Sequence, residues 1–434
     1  MGGSTTTLVG GTPVFDQGEY TSARPGKLVR NAAAQARGET PDLFPPPGRA
    51  GIDRYQPDME GMMGQEEGKH LFEPAGDFQC LHEFIPAARA KLSDHIWGYL
   101  VGATESETTL RRNRLALDSL ALRPRVCVDV SKVELGTTLF GRSLRLPVIL
   151  APVGSLESFH PGGAATAGRA ASAFGVPIMV SSVTHPGLEE AAAAASGPKI
   201  FQLYVRGDDE WIDAHVQRAA AAGYDAFAIT VDTAAYSRRE RDIAGRFVKP
   251  WRAVATGQSY QAGFNWENVK RFKAKHRMPL ILKGIATAED AALCCEYGVD
   301  GVYVSNHGGR QLDHGRGSMD VLPEVMAAVR GRAKVIVDGS ICRGTDIVKA
   351  VALGADAVAM GRMYCYALAA DGEAGVAKML ELLEHELGVA MALSGARSLA
   401  ELHPGYVFRN APVVAQPHAH SAFPLLQTTP EYRG

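Results

Sequence analysis

Gly301-Val302-Tyr303-Val304-Ser305-Asn306-His307-Gly308-Gly309-Arg310-Gln311-Leu312-Asp313 passes from a short apolar run into a polar, glycine-rich one. Four apolar residues bounded this way read as a buried strand, and the glycines after them as a loop. The loop carries a histidine, which exchanges a proton near neutral pH. Three residues later it carries an arginine, a side chain that holds a carboxylate through two parallel hydrogen bonds. Taken alone, the stretch reads equally well as a solvated turn. The choice depends on whether other strands of the chain end in comparable chemistry.

They do. Apolar runs recur at Pro147 to Val153, Pro177 to Val183, Lys199 to Val205, Ala226 to Asp232, Pro279 to Gly284, Gly301 to Asn306, Lys334 to Gly339 and Ala357 to Arg362. Helical patterns rich in alanine lie between them, among them Gly163 to Phe174, Trp211 to Ala222, Ala288 to Tyr297 and Thr345 to Leu353. Eight strands alternating with helices predict an α/β fold that closes into a (β/α)8 TIM barrel, since an open doubly wound sheet usually stops earlier. The runs end in Ala151-Pro152-Val153-Gly154, Ser181-Ser182, Gln202-Leu203-Tyr204, Thr230-Val231-Asp232, Lys283-Gly284, His307, Asp338-Gly339-Ser340 and Gly361-Arg362. Core packing has no use for such residues at strand ends, whereas a site at the C-terminal mouth of a barrel needs many. The last two endings follow the seventh and eighth strands, where backbone N–H groups suit a phosphate.

The remaining bulk properties narrow the class. The 434 residues are 46% hydrophobic, enough for one large barrel with extensions. Lys plus Arg is 45 against 47 for Asp plus Glu, so a net charge of −2 gives no electrostatic case for nucleic acid and favours a small-molecule partner. Six scattered cysteines without a CxxC pair suit reduced thiols. No apolar stretch approaches the ~20 residues of a membrane span. The expectation is a soluble cytoplasmic protein. Residues 1–75, rich in Gly, Pro and charge, read as an irregular N-terminal extension or arm, 76–403 as the barrel domain and 404–434 as a tail. In that Pro-rich tail His418 and His420 read as solvated. Phe84, Ile85, Ala88, Leu92, Ile96 and Leu100, near the start of the barrel domain, recur at helical spacing.

With these motifs in order, the chain from about Glu83 to Leu402 resembles the FMN-dependent α-hydroxy acid oxidases and dehydrogenases, the family of glycolate oxidase, lactate oxidase and mandelate dehydrogenase. The resemblance rests on SNHGGRQLD at 305–313, TVDT at 230–233, RRExD at 238–242, FQLY at 201–204 and TLRRN at 109–113. It implies His307 as the base that takes a substrate proton, Asp232 as the carboxylate orienting it, Tyr204 and Tyr99 as substrate contacts, and Arg310 with Arg239 as the clamp on a substrate carboxylate. Converting His307 to Gln is then expected to leave FMN bound and nearly abolish flavin reduction.

The resemblance further implies that Ala151, Pro152, Val153 and Ser181 flank the flavin ring, that Gln202 and Thr230 bond its polar edge, and that Lys283 and Ser305 stand beside it. Asp338, Gly339, Ser340, Arg343, Gly361 and Arg362 are implied to hold the ribityl chain and phosphate. Two departures stand out. Gly98 occupies a position where the family usually has Asp. Cys342 replaces a phosphate-binding arginine, which predicts a weaker hold on FMN, with Arg362, Arg343 and backbone amides as the remaining donors.

Three positions bear on the substrate. Gly154 matches the glycine of mandelate-oxidising relatives, and Val183 stands where glycolate oxidase carries a tryptophan. Together they leave room for an aryl or other bulky 2-hydroxy acid, a space that Tyr236 is expected to refill in part. The alternatives are the same flavin chemistry on an amine or a modified peptide-derived substrate, or a non-catalytic flavin-binding protein. The electron acceptor is left open between oxygen, a quinone and a protein carrier. The resemblance implies a homo-oligomer, a tetramer. No metal is expected, since the resemblance accounts for His307 and Asp313 without one.

Overall fold

Each of the eight apolar runs yields one strand of a closed parallel barrel: β1 (Val148–Leu150), β2 (Ile178–Ser181), β3 (Lys199–Leu203), β4 (Ala226–Thr230), β5 (Leu280–Ile285), β6 (Gly301–Val304), β7 (Lys334–Val337) and β8 (Ala357–Met360). Closure is made by β8 against β1, with Val358 beside Val148 and Met360 beside Leu150. The computed structural model describes residues 78–249, 252, 255–411, 420, 422 and 423, and the backbone of three short strands between residues 7 and 20. It separates into two units, Met1–Glu73 and Pro74–Gly434.

Side chains alternate across the barrel wall, as the two-residue period of a strand requires. Ile149, Met179, Ile200, Ala228, Ile281, Tyr303 and Ile336 point inward and pack together. Val148, Leu150, Val180, Leu203, Val302 and Val337 belong to the outer core against the helices. A hairpin of Thr137–Leu139 and Arg142–Leu144 adds Leu139, Leu144 and Phe140 to the inner cluster. At Gly301, the first residue of β6, an added Cβ would lie 3.0 Å from the Phe140 ring. The hairpin therefore plugs the end opposite the strand C-termini, and the other mouth is left for chemistry.

Three stretches gain detail, and one expectation, for His420, is corrected. The periodic pattern from Phe84 to Leu100 is two helices, Phe84–Lys91 and Asp94–Val101, because Leu92 is extended and Ser93 caps the second by accepting from the Ile96 N–H. The N-terminal extension includes a short antiparallel sheet of Thr7–Val9, Thr12–Asp16 and Glu19–Tyr20, strands too short to show a period. In the tail, Val407–Arg409 pairs antiparallel with Leu120–Leu122. His420, expected in solvent, is buried with its Nε2 3.0 Å from the Tyr366 hydroxyl, while His418 lies outside the described residues. No helix among the described residues is long and apolar enough to cross a membrane.

Candidate active site

The loop after β6 leaves its strand through three consecutive left-handed residues, His307, Gly308 and Gly309, at φ of 61°, 62° and 79°. Glycine adopts this conformation freely, but a histidine must be held there. The His307 N–H donates to Ser305 Oγ at 3.0 Å. Asn113 and Asn306 exchange amide hydrogen bonds at 2.8 and 2.7 Å. Asp313 accepts from the Thr109 N–H at 2.9 Å, at the positive end of the helix Thr108–Asp118. The TLRRN segment thus serves as the bracket on which the histidine loop is mounted.

His307 Nδ1 lies 3.0 Å from Asp232 Oδ1, and Nε2 lies 3.0 Å from the Tyr204 hydroxyl. A carboxylate only accepts, so Nδ1 carries the ring proton and Nε2 presents its lone pair. Burial lowers His307 to about 4, against the upward pull of Asp232. The ring is therefore neutral at physiological pH and free to take a proton at Nε2. Burial opposes the charge on Asp232, but the His307 partner outweighs it and keeps the carboxyl below its usual range. Burial and then Asp232 push the Tyr204 phenol above its ordinary value, so it remains a donor.

Asp232 reaches the histidine because β5 ends in an irregularity between Lys283 and Ile285, with Gly284 at φ 112°. A Cβ on Gly284 would stand 2.7 Å from Asp232 Cβ. On the same strand, Lys283 Nζ donates to Ser305 Oγ at 3.1 Å, and Ser305 donates on to Asp338 Oδ2 at 2.9 Å. Ser305 thereby joins the cation, the acid and the His307 backbone. Burial raises Asp338 above its usual range, with Lys283 pulling the other way.

Arg239, Arg310 and Arg362 line the same cavity. Arg310 donates to the main-chain oxygens of Tyr99 and Leu100 at 2.5 and 2.7 Å, and Arg362 to those of Gly102 and Gly308 at 2.8 and 3.0 Å. Arg239 donates to Ser237 Oγ and Gln311 Oε1, at 3.4 and 3.3 Å. Among the described residues none of the three meets a carboxylate. Burial, with Arg362 and Arg239 nearby, pushes Arg310 down to about 10. Three guanidiniums gathered without an acid make a site for anions.

The cavity wall brings together most of the expected residues. Tyr99, Gly154, Val183 and Tyr204 stand on it with His307, Arg239 and Arg310. So do Ala151, Pro152, Val153, Lys283, Asp338, Gly339, Ser340, Gly361 and Arg362. Asp232 and Ser305 stand behind wall residues and hold them. Ser181, Gln202 and Thr230 are buried at the ends of β2, β3 and β4, where Gln202 Nε2 donates to Thr230 Oγ1 at 2.9 Å.

Two further expected residues are off the wall, held by partners elsewhere. Arg343 is drawn away by Glu386, 2.6 Å from its guanidinium, and by the Ala422 carbonyl. Cys342 lines the cavity, and burial pushes its thiol up to about 12. Tyr236 accepts from Lys249 Nζ at 3.0 Å, and its ring lies 3.4 Å from the Arg252 guanidinium, so it does not refill the substrate space. Sequence reasoning missed Cys365 and Tyr366 on the wall. Their signal is helical spacing, three and four residues after Arg362 in the helix Arg362–Ser394.

A flavin mononucleotide fits these features. Gln202 Oε1 is buried with no partner among the described residues, an acceptor for an N–H on a ring edge. Gly339 and Ser340 turn at φ of 110° and 62°, which lines up backbone N–H groups as an anion cradle, and space beside Gly361 is open. Arg114 fixes that cradle by donating to the Ser340 carbonyl at 3.0 Å while paired with Asp346 at 2.9 Å. Arg362 adds a buried Nε without a partner.

The fold and site define a flavin-dependent barrel enzyme acting on small carboxylates, and comparison with known proteins gives the family. Residues 88–409 match the FMN-dependent dehydrogenase family, and the chain belongs to it. Glycolate oxidase 3 of Arabidopsis thaliana is 40% identical over 342 residues, 74% of this chain and 93% of that protein. Spinacia oleracea glycolate oxidase is 38% identical over 349 residues, 75% and 95% of the two chains. A solved structure of mandelate oxidase with benzoyl-formic acid superposes with a TM-score of 0.72 at 38% identity, covering 78% of this chain and all of that one. The protein is an FMN-dependent 2-hydroxy acid oxidase or dehydrogenase.

Proposed function

We propose that the substrate is a 2-hydroxy acid with an aryl or otherwise bulky side chain, oxidised to the 2-oxo acid. Arg239 and Arg310 clamp its carboxylate, Tyr204 and Tyr99 contact its oxygens, and His307 Nε2 takes the proton. The observation that carries this reading is the neutral His307 ring, backed by Asp232, opening onto a cavity with guanidiniums that lack carboxylate partners. Asp232 stabilises the imidazolium that forms, and the clamp fixes the reacting carbon, so the rate gain divides between general base catalysis and positioning. FMN supplies the acceptor for the two electrons that leave the substrate. Lys283 lends a fixed positive charge to the ring, Gln202, Thr230 and Ser181 bond or flank its edge beside Ala151, Pro152 and Val153, and Asp338, Gly339, Ser340, Gly361 and Arg362 hold the chain and phosphate.

Side-chain size is argued from the wall. Gly154 and Val183 contribute little volume to the cavity, and Tyr236 is pinned elsewhere. Each methylene that a pocket accommodates or excludes is worth ~1–3 kcal/mol in discrimination. Anaerobic bleaching of the flavin with glycolate, lactate and mandelate checks both parts. Mandelate should reduce the flavin with a kcat/KM at least about tenfold above that of glycolate. A preference for glycolate would overturn the size assignment, and a flavin bleached by none of them would overturn the substrate class.

A further inference from the structure

A charge buried behind Tyr99 has no part in the reaction as described. Lys249 is 1% exposed. Its Nζ lies 2.7 Å from Asp242 Oδ2, 3.0 Å from the Tyr236 hydroxyl and 4.3 Å from the centre of the Tyr99 ring. Those rings are the ones that carry the clamp. The Arg310 guanidinium sits 5.0 Å from the Tyr99 ring and donates to the Tyr99 carbonyl, and the Arg239 guanidinium sits 5.2 Å from the Tyr236 ring. A lysine needed only for volume is poorly placed here, because burying an ammonium beside two guanidiniums is costly and an apolar side chain fills space at less expense. Asp242 offsets one positive charge, and the two guanidiniums keep the cluster positive even with Lys249 neutral.

We infer that Lys249 is a positioning residue and third cation for the substrate carboxylate, seating Tyr99 and Tyr236 under the clamp and taking up a proton from solvent when the carboxylate docks. This rests on the reading of Arg239 and Arg310 as that clamp. Burial and then Arg239 lower Lys249 to about 6, against the pull of Asp242. The groups that face it are Asp242, Tyr236, Tyr99, Arg239 and Arg310. An anion held by the two arginines cancels their repulsion and raises the ammonium's pKa in the complex. Carboxylate binding is therefore tightest where Lys249 is protonated and weakens as pH rises through the window above 6. His307, at about 4, titrates below that window.

The test uses oxalate, a carboxylate with no carbinol hydrogen to lose, titrated into oxidised holoenzyme and followed by the flavin absorbance. Between pH 5 and 8.5 the wild-type Kd should rise about tenfold, the equivalent of a one-unit pKa shift on binding. K249M should bind weakly at pH 6 with little pH dependence, and K249R should bind well without the pH limb, since a guanidinium stays charged. For the hydroxy acid itself, K249M should raise KM about tenfold with the reduction rate at saturation within about threefold of wild type. Oxalate binding by K249M or K249R with the wild-type pH dependence overturns the inference. If R310K and R239K bind oxalate as well as wild type does, the clamp reading itself fails, a separate outcome from the loss of the pH limb.

Discussion

His307 is held at φ 61° by hydrogen bonds on both sides of the loop, which determines how its role should be probed. Asparagine tolerates the left-handed region better than glutamine, so H307N removes the base with least disturbance to the backbone. H307N should keep its FMN absorbance and lose about 10²–10⁴-fold in the rate of flavin reduction by saturating substrate. A rate like that of wild type would remove His307 from the mechanism. The pH sign follows from burial. His307 works as a base only when neutral, and in the free enzyme it titrates at about 4. In the K249R background, kcat/KM should stay level as pH falls past the ordinary imidazole range and drop only near 4. D232N removes the upward pull and should move that limb lower while slowing reduction. At this scale the motif residues were legible, because side chains at strand ends have few other uses. Arg343 and Tyr236 were misread because their partners, Glu386 in one case and Lys249 and Arg252 in the other, are set by folding.

Elements were legible where their period is long enough to see. All eight barrel strands fell inside or within one residue of the apolar runs, and the helix Gly163–Phe174 was read to the residue. The plug hairpin, with strands of three residues, offers no period, and the break at Ser93 is a local cap inside an otherwise continuous apolar pattern. The irregularity ending β5 shows how an element's detail reaches the chemistry. Gly284 at φ 112° vacates the space that Asp232 occupies, and Cβ at that position would meet Asp232 Cβ and Cγ at 2.7 and 2.8 Å. G284A should cost about 1–3 kcal/mol of stability from backbone strain. It should also push Asp232 off Nδ1, so that reduction slows as in D232N while FMN remains bound. Stopped-flow reduction alongside an FMN titration separates the two effects, and a G284A enzyme reducing at the wild-type rate would show that the bulge is not what places Asp232.

Across the whole barrel unit, the least legible feature is the return of the tail. Polar, Pro-rich sequence gives no periodic sign of burial, yet Phe423 is fully buried, with its ring 5.3 Å from His82 and 5.7 Å from the Arg343 guanidinium. Three residues earlier, His420 bonds the hydroxyl of Tyr366 and lies 6.1 Å from the Trp97 ring. Tyr366 lines the cavity together with Arg362 and Cys342. The tail therefore reaches the core through Phe423 and the cavity wall beside Arg362 through Tyr366. F423A should cost about 3–5 kcal/mol, the usual loss for a buried phenylalanine, visible as a lower Tm. Ending the chain at Ala411 removes both contacts and should lower Tm further. Melting with and without excess FMN distinguishes a stabilising tail from one that also supports the cofactor site. A ligand raises stability by RT ln(1 + [L]/Kd), so an intact site gives the same FMN-induced rise in unfolding free energy at any starting stability. The truncated chain should show a smaller rise than F423A does, because only the truncation unseats Tyr366. Equal rises in wild type, F423A and the truncated chain would confine the tail to a role in stability.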